Sequence, residues 1–262
     1  MNKQYYVAII CGHGTSDNGL WDPGCTYKKN GTTYTEANLM LRITKAFVKY
    51  AKANGIKVFT DATDGNKKNM NRTIREANAK GCDYYISVHC DYSGAPSGTY
   101  PYYYKGSSKG KKLATALNNA VKKDMGLKTR KIAASTTLGE VASTNMPACI
   151  FETGSIKADL QMLRYDYDDY GKALAKGLCN FLGIKFKDGT SSSSSPKVPF
   201  QVKAKMNLKI REDSSLDSKD TGNICKKGNI YTIIQIASNG TRGKLKSGTG
   251  WITITDKYVQ KV

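Results

Sequence analysis

The sequence predicts an α/β domain with a mostly parallel, twisted sheet flanked by helices, followed by a small all-β domain. Short apolar runs alternate with segments of helical periodicity over the first 185 or so residues, which is typical of βα units. After residue 197 the pattern changes to short alternating segments separated by turn residues, which is typical of an all-β domain. At 262 residues, the chain is long enough for one medium and one small domain.

The elements of the larger domain follow in order. A buried strand over residues 5–10 ends at a sharp glycine turn around His13. Apolar positions at helical spacing over 35–54 predict a helix that begins near Glu36 and stops at Gly55. Similar patterns predict strands at 56–60, 84–89 and 148–152, and helices at 71–80, 111–125 and 167–182. Because this alternation implies parallel pairing, functional sites are expected beyond the carboxyl ends of the strands.

The stretch Gly-Thr-Ser-Ser-Ser-Ser-Ser-Pro at 189–196 has the composition of a flexible linker. We therefore predict a larger domain over 1–187, a Ser-rich linker over 188–197 and an all-β domain over 198–262. Strand-like segments in the last domain lie at 208–211, 231–236 and 251–255.

The composition limits the function classes. Lys and Arg number 41 against 21 Asp and Glu, for a net charge of +20, which predicts a polyanionic partner such as nucleic acid or an anionic bacterial wall. No apolar run is long enough to cross a bilayer, and the run at 5–10 is too short for a signal peptide. We therefore expect a soluble chain that is made in the cytoplasm.

Seven cysteines form an odd number, and no pair has the close spacing of a thiolate zinc site. A disulfide framework is not expected. Cys149 lies in an apolar run, where a free thiol behaves as a small hydrophobic residue.

The chain has two histidines, His13 and His89, and each follows a predicted apolar strand. Glu36 begins the first helix, near the point where His13 ends its strand. Two imidazoles and a carboxylate are a standard ligand set for a catalytic zinc ion, which keeps a fourth position open. The alternatives are that both histidines are structural and that Glu36 is a first-turn glutamate stabilised by the helix dipole.

Glu152 ends the apolar run at 148–151, and burial there would raise its pKa toward the range of a general base. A salt-bridged structural role is the alternative, and Glu140 is a rival carboxylate without the same glycine context. Asp91 is either a second partner of a metal ligand or a solvated loop residue. Strand alternation places Cys90 on the face opposite His89, which disfavours a thiolate ligand.

The order and spacing of several motifs resemble the zinc-dependent N-acetylmuramoyl-L-alanine amidases of bacterial autolysins and phage endolysins. The resemblance covers most of residues 5–185. It runs through Ile10-Cys11-Gly12-His13-Gly14, Asp22-Pro23-Gly24, Thr35-Glu36-Ala37-Asn38, Arg72 with Ala77-Asn78, Ser87-Val88-His89, and residues 147–154.

The resemblance implies a phosphorylase/hydrolase-like α/β fold and hydrolysis of the amide between N-acetylmuramic acid and the L-alanine of the stem peptide. It implies that His13, Glu36 and His89 bind Zn²⁺, and that Glu152 takes a proton from water and delivers it to the leaving amine. Two features depart from the family pattern: residues 15–21 intervene before Asp22, and Ser155 stands where an aromatic residue is usual.

Residues 198–262 resemble the bacterial SH3-like domains of wall hydrolases, which implies binding to peptidoglycan. The similar motifs are Met206-Asn207-Leu208-Lys209-Ile210-Arg211, Lys227-Gly228, Gly250-Trp251 and Tyr258-Val259. Trp251, Tyr231 and Tyr258 are candidates for a binding groove or for core packing.

Taken with the missing signal peptide, these resemblances indicate a bacteriophage endolysin that stays in the host cytoplasm until host cell lysis. The expected partners are the peptidoglycan of a Gram-positive wall and its anionic polymers, with no nucleic acid and no membrane insertion. The alternatives are a sporulation autolysin, a zinc peptidase of the stem peptide or cross-bridge, and a non-catalytic basic protein that binds wall or nucleic acid.

Overall fold

The computed structural model describes residues 4–62, 67–188, 198–214, 218–237 and 240–262. The chain divides into two compact units, residues 1–189 and 190–262. Residues 189–197 of the predicted linker lie outside the described ranges. Among the described helices, none combines the length and the apolar character needed to cross a membrane.

The described residues of the first unit form ten strands and six helices. The strands are β1 (Tyr6–Cys11), β2 (Gly14–Thr15), β3 (Trp21–Asp22), β4 (Thr26–Lys29), β5 (Thr32–Thr35), β6 (Lys57–Phe59), β7 (Tyr84–Asp91), β8 (Tyr100–Tyr104), β9 (Ala133–Ser135) and β10 (Ala148–Ser155). The helices are α1 (Glu36–Ala53), α2 (Met70–Ala79), α3 (Ser108–Met125), α4 (Gly139–Ala142), α5 (Leu160–Tyr165) and α6 (Tyr167–Leu182).

A six-stranded sheet in the order β6-β1-β7-β10-β8-β9 forms the centre of this unit. Strand β1 pairs in parallel with β6 and β7, β7 pairs in parallel with β10, and β8 pairs in parallel with β9. Only the β10–β8 pair in this sheet is antiparallel. The predicted α/β class with a mostly parallel central sheet is confirmed.

Helices cover both faces of the sheet, and the side chains of β1 alternate between two cores. Val7 and Ile9 pack in the core that α1, α3 and α6 complete, whereas Ala8 and Ile10 pack in the core beneath α2 and α4. This burial on both faces explains why β1 reads as a continuous apolar run rather than an alternating one.

The sequence prediction missed part of the sheet and set some strand ends too early. Strand β8 has the sequence Tyr-Pro-Tyr-Tyr-Tyr, which lacks the apolar run or alternation that predicts a strand. Strand β9 has three residues and α4 has four, which is too short for a periodic signal. Strands β7 and β10 continue to Asp91 and Ser155, so His89 and Glu152 lie inside strands rather than at their ends.

The second unit is an antiparallel sheet of seven strands in the order β13-β12-β16-β15-β14-β11-β17. Val202, Ile233 and Ile252 belong to its buried core, and Tyr231 and Tyr258 pack against that core. The predicted all-β class is confirmed for the described residues of this unit. The strands are β11 (Phe200–Ala204), β12 (Leu208–Arg211), β13 (Asp220–Cys225), β14 (Ile230–Ile236), β15 (Arg242–Leu245), β16 (Trp251–Thr253) and β17 (Val259–Lys261).

Helix α6 approaches α1 closely at Gly171. A Cβ atom at this position would lie 2.5 Å from the Cβ of Ala46 and 2.6 Å from the backbone nitrogen of Phe47. Because one of these atoms belongs to the α1 backbone, the contact is relieved only by moving a helix. Gly171 therefore sets how closely the two helices pack.

We predict that Gly171→Ala destabilises the protein by about 1–3 kcal/mol through overpacking, although Ala is intrinsically favoured over Gly in a helix by about 1 kcal/mol. Thermal or urea unfolding of the purified protein measures the change. The matched control is Asn180→Ala on the exposed side of α6, which should be neutral or slightly stabilising. A gain in stability from Gly171→Ala would contradict the close approach of α1 and α6.

Candidate active site

The first candidate ligand, His13, lies two residues beyond the end of β1. Its backbone φ of 63° is in the left-handed region, which non-glycine residues adopt rarely and mostly at functional positions. The flanking chain is fixed, because Gly12 N–H donates to Val88 O at 2.9 Å and Thr15 N–H donates to Lys67 O at 3.0 Å. The turn therefore holds the His13 ring at the carboxyl edge of the sheet.

The second candidate ligand, Glu36, is the first residue of α1 and is only 3% exposed. Two backbone amides clamp its carboxylate: Cys25 N–H donates to Oε2 and Cys90 N–H donates to Oε1, each at 3.0 Å. Burial disfavours the charged form of Glu36, but hydrogen bonds from His13 and His89 outweigh it and hold the pKa of this carboxyl well below its usual range. Glu36 is therefore a buried, ionised carboxylate.

The third candidate ligand, His89, brings the cluster together. Its Nδ1 lies 3.0 Å from Glu36 Oε1, and His13 Nε2 lies 3.2 Å from Glu36 Oε2. One ligand atom from each of the three residues lies within 4.8 Å of the other two. Two imidazole nitrogens and a carboxylate oxygen at this spacing are able to hold a metal ion.

Two glycines make room for these side chains. A Cβ atom at Gly12 would lie 2.4 Å from the His89 ring, and one at Gly24 would lie 2.6 Å from both Glu36 Oε2 and the His13 ring. Any larger residue at either position would displace a candidate ligand. The three candidate ligands and the space that the two glycines leave around them are therefore compatible with a bound metal ion.

Each histidine contacts a second carboxylate through its other ring nitrogen. His13 Nδ1 lies 2.8 Å from Asp22 Oδ2, and His89 Nε2 lies 2.8 Å from Glu140 Oε2. Burial alone would lower the pKa of His89, but Glu140 and then Glu36 raise it well above its usual value. From the sequence alone, Asp22 has no predicted role of its own and Glu140 is only a rival to Glu152.

Glu152 lies beside His89, because the parallel pairing of β10 with β7 puts the two residues in register. Its Oε2 atom is buried and has no hydrogen-bond partner among the described residues. Burial raises the pKa of Glu152 to about 7, and the positive charge of His89 offsets only part of this effect. Neither oxygen forms an ion pair within the described chain, which is the environment expected of a carboxylate that exchanges protons.

Two clefts share His89 and Glu140 in their lining. The first, of about 390 Å³, is called the polar cleft because most of its lining residues are polar or charged, and the second, of about 490 Å³, contains Glu152. The polar cleft is lined by His13, Gly14, Ser16, Asp22, Asn69, Met70, Asn71, His89 and Glu140. The second is lined by Met70, His89, Tyr102, Ala134, Ser135, Thr137, Leu138, Gly139, Glu140, Ile150 and Glu152.

Both departures from the family pattern have a local explanation. Residues 15–21 belong to the β2–β3 hairpin, in which Asp17 accepts from Arg72 at 2.6 Å and from Arg75 at 2.8 Å. Ser155 is fully buried, and its Oγ donates to Tyr92 O at 3.2 Å. The hairpin therefore adds to the rim of the polar cleft, whereas Ser155 has no surface for a substrate.

Cys90 and Asp91 are the two residues that follow His89, and their side chains contact residues other than the histidines. Asp91 Oδ2 lies 2.9 Å from Arg130 Nη2, and its side chain is 23% exposed, so this aspartate pairs with an arginine rather than with a candidate ligand. Cys90 Sγ lies 4.0 Å from Cys25 Sγ, and both thiols lie near Glu36. Hydrogen bonding to Cys25 and burial hold the pKa of Cys90 well above its usual range, which disfavours a thiolate ligand. All seven cysteines are free, and all but Cys25 are buried.

Comparison with known proteins gives consistent similarities. The sequence profile of the N-acetylmuramoyl-L-alanine amidase family matches residues 7–183. An endolysin of Bacillus phage SPP1 is 30% identical over 276 residues, which cover 97% of this chain and 97% of that protein. An uncharacterized protein of Clostridium perfringens is 28% identical over 214 residues, which cover 76% of this chain and 63% of that protein.

Solved structures share the fold of the first unit. The N-acetylmuramoyl-L-alanine amidase from Clostridium difficile 630 superposes with a TM-score of 0.60 at 23% identity, covering 71% of this chain and all of that one. The catalytic domain of CwlV, an N-acetylmuramoyl-L-alanine amidase from Bacillus (Paenibacillus) polymyxa, gives a TM-score of 0.59 at 21% identity, covering 70% of this chain and all of that one.

We predict that metal-free Glu152→Gln gains stability relative to wild type as the pH rises. The raised pKa means that folded Glu152 binds a proton more tightly than unfolded Glu152, so ionising it costs stability between about pH 4.5 and 7. Because Glu152 is partly exposed, the expected effect is discounted. Between pH 5 and 8 the unfolding free energy of Glu152→Gln should rise relative to that of wild type by on the order of 2 kcal/mol.

Urea unfolding of both proteins in the presence of a chelator, at pH 5 and pH 8, measures this difference. Comparing the two pH values removes any cost of the substitution that does not depend on pH. If the unfolding free energies of the two proteins differ by the same amount at pH 5 and pH 8, the pKa of Glu152 is not raised.

Proposed function

Because this chain belongs to the N-acetylmuramoyl-L-alanine amidase family, we propose that it is a zinc-dependent peptidoglycan hydrolase. The bond cleaved is the amide between N-acetylmuramic acid and the L-alanine of the stem peptide. The observation that carries the proposal is the cluster of His13, Glu36 and His89 with the unpartnered carboxylate oxygen of Glu152 beside it.

The residues that would hold the ion are His13 through Nε2, His89 through Nδ1, and Glu36 through its carboxylate, because these atoms converge. A bound zinc ion supplies Lewis-acid chemistry, since it polarises a carbonyl oxygen and makes a water molecule more acidic. The negative charge of Glu36 suits a divalent cation, and each imidazole would give up the proton on its ligating nitrogen when the ion binds. Three protein ligands also leave a position open, as catalytic zinc sites require.

Glu152 is the proposed general base and acid. An amide nitrogen is a poor leaving group, so the reaction needs a residue that removes a proton from water and then delivers one to the nitrogen. A pKa near 7 lets a carboxyl do both near neutral pH. The bound cation would lower this pKa, which would favour the ionised form that begins the cycle.

Glu140 is a weaker candidate for this role. Both of its oxygens are engaged, since Oε2 contacts His89 and Oε1 accepts from the Tyr85 hydroxyl at 3.1 Å. Burial tends to raise the pKa of Glu140, but the charge of His89 outweighs it, and the net pKa is lowered. A carboxylate that holds its charge this firmly is poorly suited to take up a proton.

The second unit is the proposed wall-binding domain, and the chain is the proposed endolysin of a phage that infects Gram-positive bacteria. The similarity to the SPP1 endolysin extends over both units, which supports this reading. Excess positive charge, with 41 basic against 21 acidic residues, suits a wall rich in anionic polymers. In this proposal the protein remains in the host cytoplasm until lysis and does not insert into the membrane.

We predict that the protein solubilises purified Gram-positive walls and releases L-alanine amino termini, and that Glu152→Gln lowers the rate at least about a hundredfold while keeping its zinc. His13→Ala should lose both zinc and activity. Wall turbidity, new amino termini and zinc content measure these effects. Folding is checked by circular dichroism.

The identity of the released ends separates this activity from the alternatives. Amino termini from residues within the stem peptide or cross-bridge would identify a zinc peptidase instead. Wall binding without cleavage and without zinc would identify a non-catalytic basic protein. Equal activity of Glu152→Gln and wild type would reject Glu152 as the general base.

We also predict that residues 1–189 alone cleave a soluble muropeptide at a rate close to that of the full chain, but sediment poorly with intact walls. The physical reason is that the first unit contains the whole candidate site, while the second has its own core. Co-sedimentation with walls and muropeptide hydrolysis are measured in parallel. Equal sedimentation of both proteins would remove the wall-binding role of the second unit.

A further inference from the structure

Glu140 contacts His89 at the ring nitrogen opposite the one that faces Glu36. The Nε2–Oε2 distance is 2.8 Å, and the side chains of His89 and Glu140 are only 13% and 5% exposed. We propose that Glu140 is the positioning residue of the metal site, which fixes the tautomer and the orientation of His89 so that Nδ1 faces the ion. This inference rests on the zinc site proposed above.

The contact with Glu140 determines which ring nitrogen of His89 keeps its hydrogen. A neutral imidazole carries one N–H and one lone pair, and an ionised carboxylate only accepts hydrogen bonds. In the structure both ring nitrogens of His89 face carboxylates, Nε2 toward Glu140 and Nδ1 toward Glu36, so both donate. When a metal ion binds, Nδ1 has to lose its hydrogen, and Glu140 keeps the remaining hydrogen on Nε2, so that the Nδ1 lone pair is left for the ion. Without Glu140 the two tautomers and a flipped ring would compete.

The carboxylate of Glu140 is itself held in place. Its Oε1 accepts from the Tyr85 hydroxyl, which also contacts Thr73 Oγ1 at 2.9 Å. Its backbone oxygen accepts from Thr144 Oγ1 at 3.1 Å. The next residue, Val141, belongs to the core beneath α2 and α4. The Tyr85 hydroxyl therefore holds the carboxylate, while the other two contacts hold the backbone that carries it.

Helix α2 holds the segment that follows α4. The Asn78 side chain donates to Ser143 O at 3.0 Å and accepts from the Asn145 backbone N–H at 2.9 Å. This pair of bonds spans 65 or more residues of sequence and fixes the chain just beyond Glu140. A four-residue helix is too short to be rigid alone, so these two hydrogen bonds of Asn78 explain how Glu140 stays aligned with His89.

The equivalent pair at the other histidine is much more exposed. Asp22 and His13 are 59% and 27% exposed at their side chains, and solvent screens such contacts. We therefore expect Asp22 to contribute less than Glu140 to metal affinity. The asymmetry assigns the main positioning role to the buried carboxylate.

The test measures zinc affinity by competition with a chelator for wild type, Glu140→Ala, Glu140→Gln, Asp22→Asn and Tyr85→Phe. Loss of an outer partner of a metal-bound histidine typically weakens affinity about 10–100-fold, which is the expected result for Glu140→Ala. Glu140→Gln should recover part of the loss, because its amide oxygen still accepts from Nε2–H. Asp22→Asn should weaken binding less than Glu140→Ala does.

Tyr85→Phe tests the contact that supports Glu140. It removes the other hydrogen bond of the Glu140 carboxylate but leaves the contact with His89, so it should weaken zinc binding less than Glu140→Ala does. Substitution with Co²⁺ adds a spectroscopic measure, since the visible absorption of bound cobalt reports ligand geometry. Glu140→Ala should alter this spectrum more than Tyr85→Phe does.

Wild-type affinity in a folded Glu140→Ala protein, or equal losses in Glu140→Ala and Tyr85→Phe, would overturn the proposal. If Glu140→Ala does not fold, the zinc affinities of Glu140→Gln and Tyr85→Phe are compared instead. Equal affinities of these two variants would overturn the proposal. Failure of wild type to bind zinc would instead overturn the proposed function. The proposed function and the positioning role of Glu140 can therefore be rejected by different results.

Discussion

The clamp on the Glu36 carboxylate is the interaction on which the rest of the site depends. Backbone amides of Cys25 and Cys90 each donate to one oxygen of this buried group, and the two histidines approach from the other side. Because Cys90 belongs to the central sheet and Glu36 begins α1, the clamp joins the sheet to the helix. A buried carboxylate is costly unless it is paired, so these contacts have to form together.

The same sheet gives two further glutamates different environments. Glu152 is brought beside His89 by the register of β10 against β7, and one of its oxygens lacks a partner within the described chain. Glu140 reaches the same histidine from α4, but both of its oxygens are engaged. Burial thus raises the pKa of the first carboxyl, while a neighbouring positive charge lowers that of the second. Their proposed roles, proton transfer and positioning, follow from this difference.

Much of the fold was predictable because its signals are local. Helices α1, α3 and α6 are long enough to show their apolar face as a period in the sequence, and β1 and β10 appear as apolar runs. Strand β8 was missed because its tyrosines and proline carry no such period, and its pairing depends on β10, which lies more than forty residues later. The site residues His13, Glu36, His89 and Glu152 were all chosen from the sequence, and the structure brings them together at one edge of the sheet.

By itself, the sequence determined the α/β class, the all-β class of the second unit, the amidase family resemblance and the choice of candidate residues. Composition, periodicity and motif order are properties of the sequence itself, so they can be recognised without knowing which distant residues are in contact. Only the tertiary structure decided that Asp22 and Glu140 contact the histidines, that Asp91 pairs with Arg130, and that Glu152 Oε2 is left without a partner. These are contacts between distant segments, and their strength depends on burial, which no local pattern encodes.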